Sequence, residues 1–237
     1  MKIDIMISAA DIKPERLKGK VVVVIDVLRA TTVMITAINN GCEKVIPVRE
    51  IEDALHIANK NREYSLLGGE REGLKIEEFD FSNSPLDYTA EVVKGKTLIM
   101  TTSNGTRAIK NSEEADRIFI AAMINGNAVA KKLVELNKDV VFINAGTNGE
   151  FSMDDFITSG YIINCIKSMG GSEHDLTDMA ITSEYVYKGN PGIISFVKDA
   201  LHYKRLKDLG FYEDLRYCLT KDIVDIVPEY KAGEIIL

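Results

Sequence analysis

The chain has 237 residues, 46% of them hydrophobic, 27% charged and 7% aromatic, and its 29 Lys plus Arg against 36 Asp plus Glu give a formal charge of -7. That is enough apolar residue for one large core or two small ones. An acidic balance without a basic block excludes a nucleic-acid surface, while leaving room for a small anionic ligand in one locally positive pocket.

The opening MKIDIMISAADI is too short and polar for a signal peptide, and no apolar run reaches the roughly 18 residues of a membrane span. A cytoplasmic protein is therefore expected. Val21–Ile25 is VVVVI, which reads as a strand buried on both faces. TTVMITAINNG follows with near-helical apolar spacing; Thr31 or Thr32 can cap its first turn and Gly41 can stop it. Asp26 and Arg29 thus lie between a strand's carboxyl end and a helix's amino end, where open α/β sheets place ligands. KVIPV, REIEDALHIANKN and YSLLGG continue as strand, helix and strand. The connector LKIEEFDFSNSPLDYTAEVVKG carries Ser82, Asn83, Ser84 and Pro85 as turn formers, and its length points to a functional segment. GKTLIMTT (strand), a helix opening near Thr106, DRIFIAA (strand), GNAVAKKLVELNK (helix) and DVVFINAG (strand) then repeat the order. FITSGYIINCIKSMGG reads as a helix, SEHDLTDMAITSEYVYKGNPG as a polar segment and IISFVKDALHYKRLKDLG as a periodic one, before the extended tail IVDIVPEYKAGEIIL.

The two runs also align residue by residue, with Gly19-Lys20 matching Gly95-Lys96, Asn61 matching Asn137, and Gly69 matching Ala145, all at one offset. The pattern predicts a layered α/β/α fold with mostly parallel sheet. It has duplicated β-α-β-α-β halves at about 19–74 and 95–150 that face each other, then a helical and extended segment over 156–237, in a single catalytic unit spanning 1–237. DVLRATT and TTSNGTRA become equivalent loops, as do GGEREG and AGTNGE.

Asp26 suits a metal ligand, a nucleophile or a general base, and Arg29 can fork onto an oxyanion. The plainer alternative is a capping Asp paired with Arg29. Leu28 stands where the D-x-D-x-T phosphatase signature needs its second Asp. In TTSNGTRA, Thr101, Thr102, Ser103, Asn104 and Thr106 surround Gly105 at a strand-to-helix junction, an arrangement suited to an oxyanion. G-x-G-x-x-G and Walker patterns are absent. GGEREG sets Glu70 and Arg71 between Gly69 and Gly73, and AGTNGEFSMDD supplies Asn148, Glu150, Asp154 and Asp155, a set that could hold a hard divalent ion such as Mg²⁺. His56, His174 and His202 have no companion at ligand spacing and are read as structural or surface residues. Cys42, Cys165 and Cys218, odd in number and far apart, are read as reduced thiols.

Taken in order, DVLRATT, GGEREG, FDFSNSP, TTSNGT and AGTNGEFSMDD, with the later EDLRYC and DIVDIVP, resemble the 2-phosphosulfolactate phosphatases over nearly the whole chain. The resemblance implies a Mg²⁺-dependent hydrolase that converts 2-phosphosulfolactate to 3-sulfolactate in coenzyme M biosynthesis, with its site between two parts of the molecule. On that basis Asp26 and Glu70 go to the metal. Arg29, Arg71 and Arg107 go to the substrate's anions. Thr101, Thr102, Asn104, Gly105 and Thr106, with Asn148, go to an oxyanion. Asp154 or Asp155 would orient or deprotonate the attacking water, and Asp26 is the alternative nucleophile. A phosphatase for another small anionic phosphoester and a non-catalytic anion-binding protein are the competing readings. The expected partner is a small anionic phosphoester, with no nucleic acid and no membrane, and with self-association left open.

Overall fold

The computed structural model describes residues 1–170 and 174–237. Residues 171–173, which close the helix read from FITSGYIINCIKSMGG and open the polar segment, lie outside the described residues. The first run forms β2 (Val21–Ile25), α1 (Ala30–Asn39), β3 (Lys44–Pro47), α2 (Ile51–Asn59) and β4 (Ser65–Arg71). It is preceded by β1 (Lys2–Met6) and followed by β5 (Leu74–Lys75) and the short α3 (Ala90–Val93). The second run forms β6 (Thr97–Thr101), α4 (Gly105–Asn111), β7 (Arg117–Ala121), α5 (Gly126–Leu136) and β8 (Val140–Asn144). Beyond it come α6 (Met153–Ser168), β9 (Asp175–Leu176), α7 (Asp178–Gly189), α8 (Ile193–Val197), α9 (Leu201–Asp208) and α10 (Tyr212–Cys218), then the hairpin β10 (Glu229–Lys231) and β11 (Glu234–Ile236).

All the strands join one sheet, in the order β5-β4-β6-β3-β11-β10-β7-β2-β8-β1-β9. The two runs therefore meet inside a single sheet, each lending its first strand to the other. β2 lies between β7 and β8, and β6 lies between β3 and β4, each set parallel within itself and opposed in direction to the other. The terminal hairpin joins the two sets, antiparallel to β7 on one side and to β3 on the other. Burial on both faces explains the apolar runs: every residue of β2 is buried, and in β6 Leu98 and Met100 join the main core while Ile99 joins a smaller one against α2.

Three local expectations change. β1 is a strand that the polar opening hid, although KIDIM alternates in period two. α1 begins before Thr31 and Thr32, so neither is its cap. Thr31 Oγ1 instead donates to Asp26 O at 2.9 Å and accepts from Asp26 N at 3.0 Å, tying the first turn back to the strand end. The polar stretch after residue 175 contains a three-turn helix, α7, because Gly160 lets α6 pack against its backbone; a β-carbon there would lie 2.1 Å from Ser183 O. Among the described residues no helix is long and apolar enough to cross a membrane.

Candidate active site

Asp26 directly follows β2, and the close approach of α4 shapes its surroundings. Ala30 N donates to Asp26 Oδ1 at 3.4 Å, and the Gly105 amide also faces the carboxylate. Gly105 is required here, because a β-carbon would lie 2.8 Å from Asp26 Oδ2 and 2.7 Å from Ala30 Cβ. Asp26 is 8% exposed. Burial, then the charges of Glu70 and Asp154, push its carboxyl up to about 7.

Glu70 and Asp155 tie loops together in the same manner. Glu70 Oε1 accepts from Ser103 N at 2.8 Å and Oε2 from Gly73 N at 2.7 Å, joining the loops after β4 and β6. Asp155 Oδ1 accepts from Val27 N at 2.9 Å and Oδ2 from Gly146 N at 3.0 Å, joining the loops after β2 and β8. Burial, followed by Asp154 and Asp26, raises the Asp155 carboxyl well above its ordinary value. Asp155 thereby holds the residue after Asp26 and the turn at Gly146 in fixed relation. Asp154 also accepts from the Ser152 hydroxyl through Oδ1, and it lines a cleft of about 830 Å³ between the 147–154 loop and α9. Neither Asp26, Glu70, Asp154 nor Asp155 has a Lys or Arg within ion-pair distance among the described residues.

A recess of about 130 Å³ opens over Asp26, walled by Arg29, Glu70, Asn83, Asn104, Asn148 and Arg205, among others. It adjoins the larger cleft through Thr147, Asn148, His202 and Arg205, which belong to both. The expected residues therefore divide. Asp26, Arg29, Glu70, Asn104 and Asn148 share this acid pocket, with Gly105 behind Asp26 and Asp154 in the adjoining cleft. Arg71, Thr102, Thr106 and Arg107 line a different recess, together with Arg49. Thr101 Oγ1 lies between them, donating to Arg49 O at 2.8 Å and accepting from Arg71 Nη2 at 3.0 Å.

Two expectations about chemistry shift with this placement. Arg29 faces the pocket with its charge already engaged: Nη1 meets Asp214 Oδ2 at 2.6 Å, Nη2 donates to Gly73 O at 3.0 Å, and the guanidinium lies 4.0 Å over the Phe211 ring. The hydroxyl loop is also partly self-satisfied, since Thr106 N donates to Thr102 Oγ1 at 3.2 Å and Thr106 Oγ1 to Thr102 O at 2.9 Å.

Four residues at these recesses escaped the sequence reading. His202 and Arg205 stand three apart on α9 and so share a face; the His202 ring Nε2 donates to Leu28 O at 2.6 Å. Asn83, in the long connector, is 4% exposed, and its Oδ1 has no hydrogen-bond partner among the described residues. Arg49 follows β3, and the strand-end rule that drew attention to Asp26 and Arg71 applies to it equally.

The comparisons agree with one another. A family model described as 2-phosphosulpholactate phosphatase matches residues 6–233. The chain is 60% identical over 236 residues to a Clostridium acetobutylicum protein named probable 2-phosphosulfolactate phosphatase, covering 100% of both chains. Proteins of the same name from Clostridium novyi and Clostridium tetani are each 59% identical, over 235 and 234 residues, with 99% and 98% of this chain and 99% of each relative covered. Matched along nearly its whole length by the family model and end to end by these relatives, the chain belongs to the 2-phosphosulpholactate phosphatase family of phosphoric monoester hydrolases.

Proposed function

We propose that the acid pocket hydrolyses 2-phosphosulfolactate. Water adds to phosphorus, the bond from phosphorus to the C2 oxygen breaks, and inorganic phosphate and 3-sulfolactate leave, the proton from water ending on the departing oxygen. The observation that carries this reading is Asp26, a buried carboxyl just past the end of a central strand, held near 7 by burial and neighbouring acids, with no Lys or Arg within ion-pair distance among the described residues. In a cytoplasmic setting the reaction corresponds to the coenzyme M step that the family resemblance implies.

A Mg²⁺ ion fits the donors present. Asn83 Oδ1 is an orphaned buried acceptor on the same pocket wall as Asp26 and Glu70, and each Glu70 oxygen keeps a lone pair beyond the one N–H it accepts. Among the described residues no three His, Cys, Asp or Glu side chains already converge as a coordination group. Magnesium does not need one, because it binds through one or two carboxylates and completes its shell with waters and substrate phosphate oxygens. Asp26 and Glu70, with Asn83, would hold it. When bound, the ion supplies neutralising charge to the phosphoryl oxygens.

The chain's own side chains do the rest. Asp154, whose Oδ1 is fixed by Ser152, presents Oδ2 to orient the water and take its proton. Arg205, in the lining of the same pocket, supplies a guanidinium donor through Nη1, which its bonds to Glu72 O leave unused among the described residues. Direct attack by water is favoured over an aspartyl-phosphate because apolar Leu28 stands where a partner acid would assist Asp26 as nucleophile. Phosphate release from 2-phosphosulfolactate, with Mg²⁺ and with chelator, tests the activity, and a simple phosphomonoester turned over equally well would move the substrate class. Borohydride trapping during turnover tests the route: reduction of Asp26 would overturn direct attack.

A further inference from the structure

Six of the nine arginines carry an ion pair to a carboxylate: Arg16, Arg29, Arg62, Arg117, Arg205 and Arg216. The other three, Arg49, Arg71 and Arg107, have no carboxylate within ion-pair distance among the described residues, and all three line one recess of about 240 Å³. Arg49 and Arg71 reach it from the carboxyl ends of β3 and β4, and Arg107 from the first turn of α4, which follows the parallel strand β6 between them, the edge on which open α/β sheets bind ligands. Three uncompensated guanidinium groups around one recess repel each other, and a bound anion removes that cost.

The recess is held in shape from within. Arg71 donates through Nη1 to Glu70 O at 2.9 Å and through Nη2 to Arg49 O at 2.9 Å and Thr101 Oγ1 at 3.0 Å. Arg49 donates to Asn111 Oδ1. Thr102 is buried on the wall, and its oxygen accepts from Thr106 N, which leaves its O–H to donate. One carboxylate, exposed Glu50, also belongs to the lining.

We propose that this recess is a second oxyanion site, distinct from the acid pocket and joined to it through Ser103. Ser103 lines both recesses, and its N–H donates to Glu70 Oε1 at 2.8 Å. Guanidinium forks match the paired oxygens of a sulfonate or phosphate, which defines the ligand as a tetrahedral oxyanion. That anion is either the sulfonate end of a substrate whose phosphate occupies the acid pocket or a separate anion from solution. The first source rests on the phosphatase reading.

Calorimetric titration of the full chain with inorganic phosphate and with methanesulfonate, in chelator, tests the site without turnover. Chelator leaves the Asp26 and Glu70 carboxylates of the acid pocket facing any anion without a neutralising ion, and variants at Arg49 and Arg107, which line the second recess and not the acid pocket, separate binding here from binding there. Binding is expected, and Arg49→Gln and Arg107→Gln are each expected to weaken it about tenfold or more, as loss of a charged hydrogen bond implies. No binding by the native chain, or unchanged affinity in both variants at native unfolding temperature, overturns the proposal. The source is read from KM in Arg107→Gln. A rise for 2-phosphosulfolactate but not for 2-phospholactate, which lacks the sulfonate, identifies the substrate's own anion; unchanged KM for both, with anion binding lost, identifies a separate one. A chain that binds phosphate here but hydrolyses no phosphoester would sink the phosphatase reading and leave this site standing.

Discussion

Arg29 and Asp214, 185 positions apart in sequence, meet at 2.6 Å with side chains only 1% and 5% exposed. Asp214 also accepts from Ser84 Oγ at 2.7 Å, so one carboxylate fastens the active-site loop to the long connector and to α10. Breaking a buried pair from one side strands a charge, at a cost of about 3–5 kcal/mol. Asp214→Ala should lose that much in urea unfolding. Arg29→Lys, which cannot reproduce the fork, should slow 2-phosphosulfolactate and a simple phosphomonoester equally. A selective loss on the first would return Arg29 to substrate recognition.

Asp26 makes stability depend on pH in a direction that can be worked out. Its folded carboxyl titrates at about 7, above its ordinary 3.8, so the folded state holds the proton more tightly than the unfolded one. The group does not penalise folding below the unfolded value. It penalises folding increasingly as pH rises to about 7, and at about 1.36 kcal/mol per pKa unit the full penalty is about 4 kcal/mol. In chelator, Asp26→Asn should melt with the native protein at pH 4 and above it at pH 8; with Mg²⁺ present it should lose several orders of magnitude in turnover. Equal melting temperatures at pH 8 would show that Asp26 ionises without cost.

Added Mg²⁺ should raise the melting temperature more at pH 8 than at pH 5, since the ligand carboxylate must shed its proton first. Asn83→Leu removes an acceptor that no protein donor uses. The variant should keep its stability in chelator and lose about tenfold or more in Mg²⁺ affinity by calorimetry, whereas Asn83→Asp should bind the ion. Unaltered affinity in Asn83→Leu would remove this oxygen from the donor set.

Gly105→Ala places a methyl group against Asp26 Oδ2. Overpacking of this kind costs about 1–3 kcal/mol, and displacement of the carboxylate should lower kcat by about 10²-fold. A rate loss no larger than the loss of folded protein would mean that the carboxylate's position is immaterial.

What the sequence disclosed is what local pattern can encode. VVVVI followed by Asp, hydroxyls around Gly105 and acids after Gly149 mark strand ends, and the structure brings Gly105 against Asp26 and ties Val27 to Asp155, although the terminal hairpin sets the two groups of parallel strands running in opposite directions. Pairing across long separations has no such signature. Arg29 looks the same in sequence whether it meets a ligand or Asp214, and His202 and Arg205 belong to the pocket only because α9 folds back over it. The split of the hydroxyl loop between two recesses was equally hidden, because it depends on the path of the turn between β6 and α4, which sets Thr102 on one recess and Asn104 on the other.

The exchange of first strands sets a hazard for synthesis. Val21 pairs with Arg117 on one side and Val140 on the other, so the chain must grow by more than a hundred residues before β2 has both neighbours. At ordinary translation speeds that interval is on the order of ten seconds. Through it, VVVVI is an uncharged, strongly β-forming segment with both edges open, the kind of sequence that seeds aggregation. The strand that delivers Asp26 to the acid pocket is therefore also a stretch in need of protection on the nascent chain.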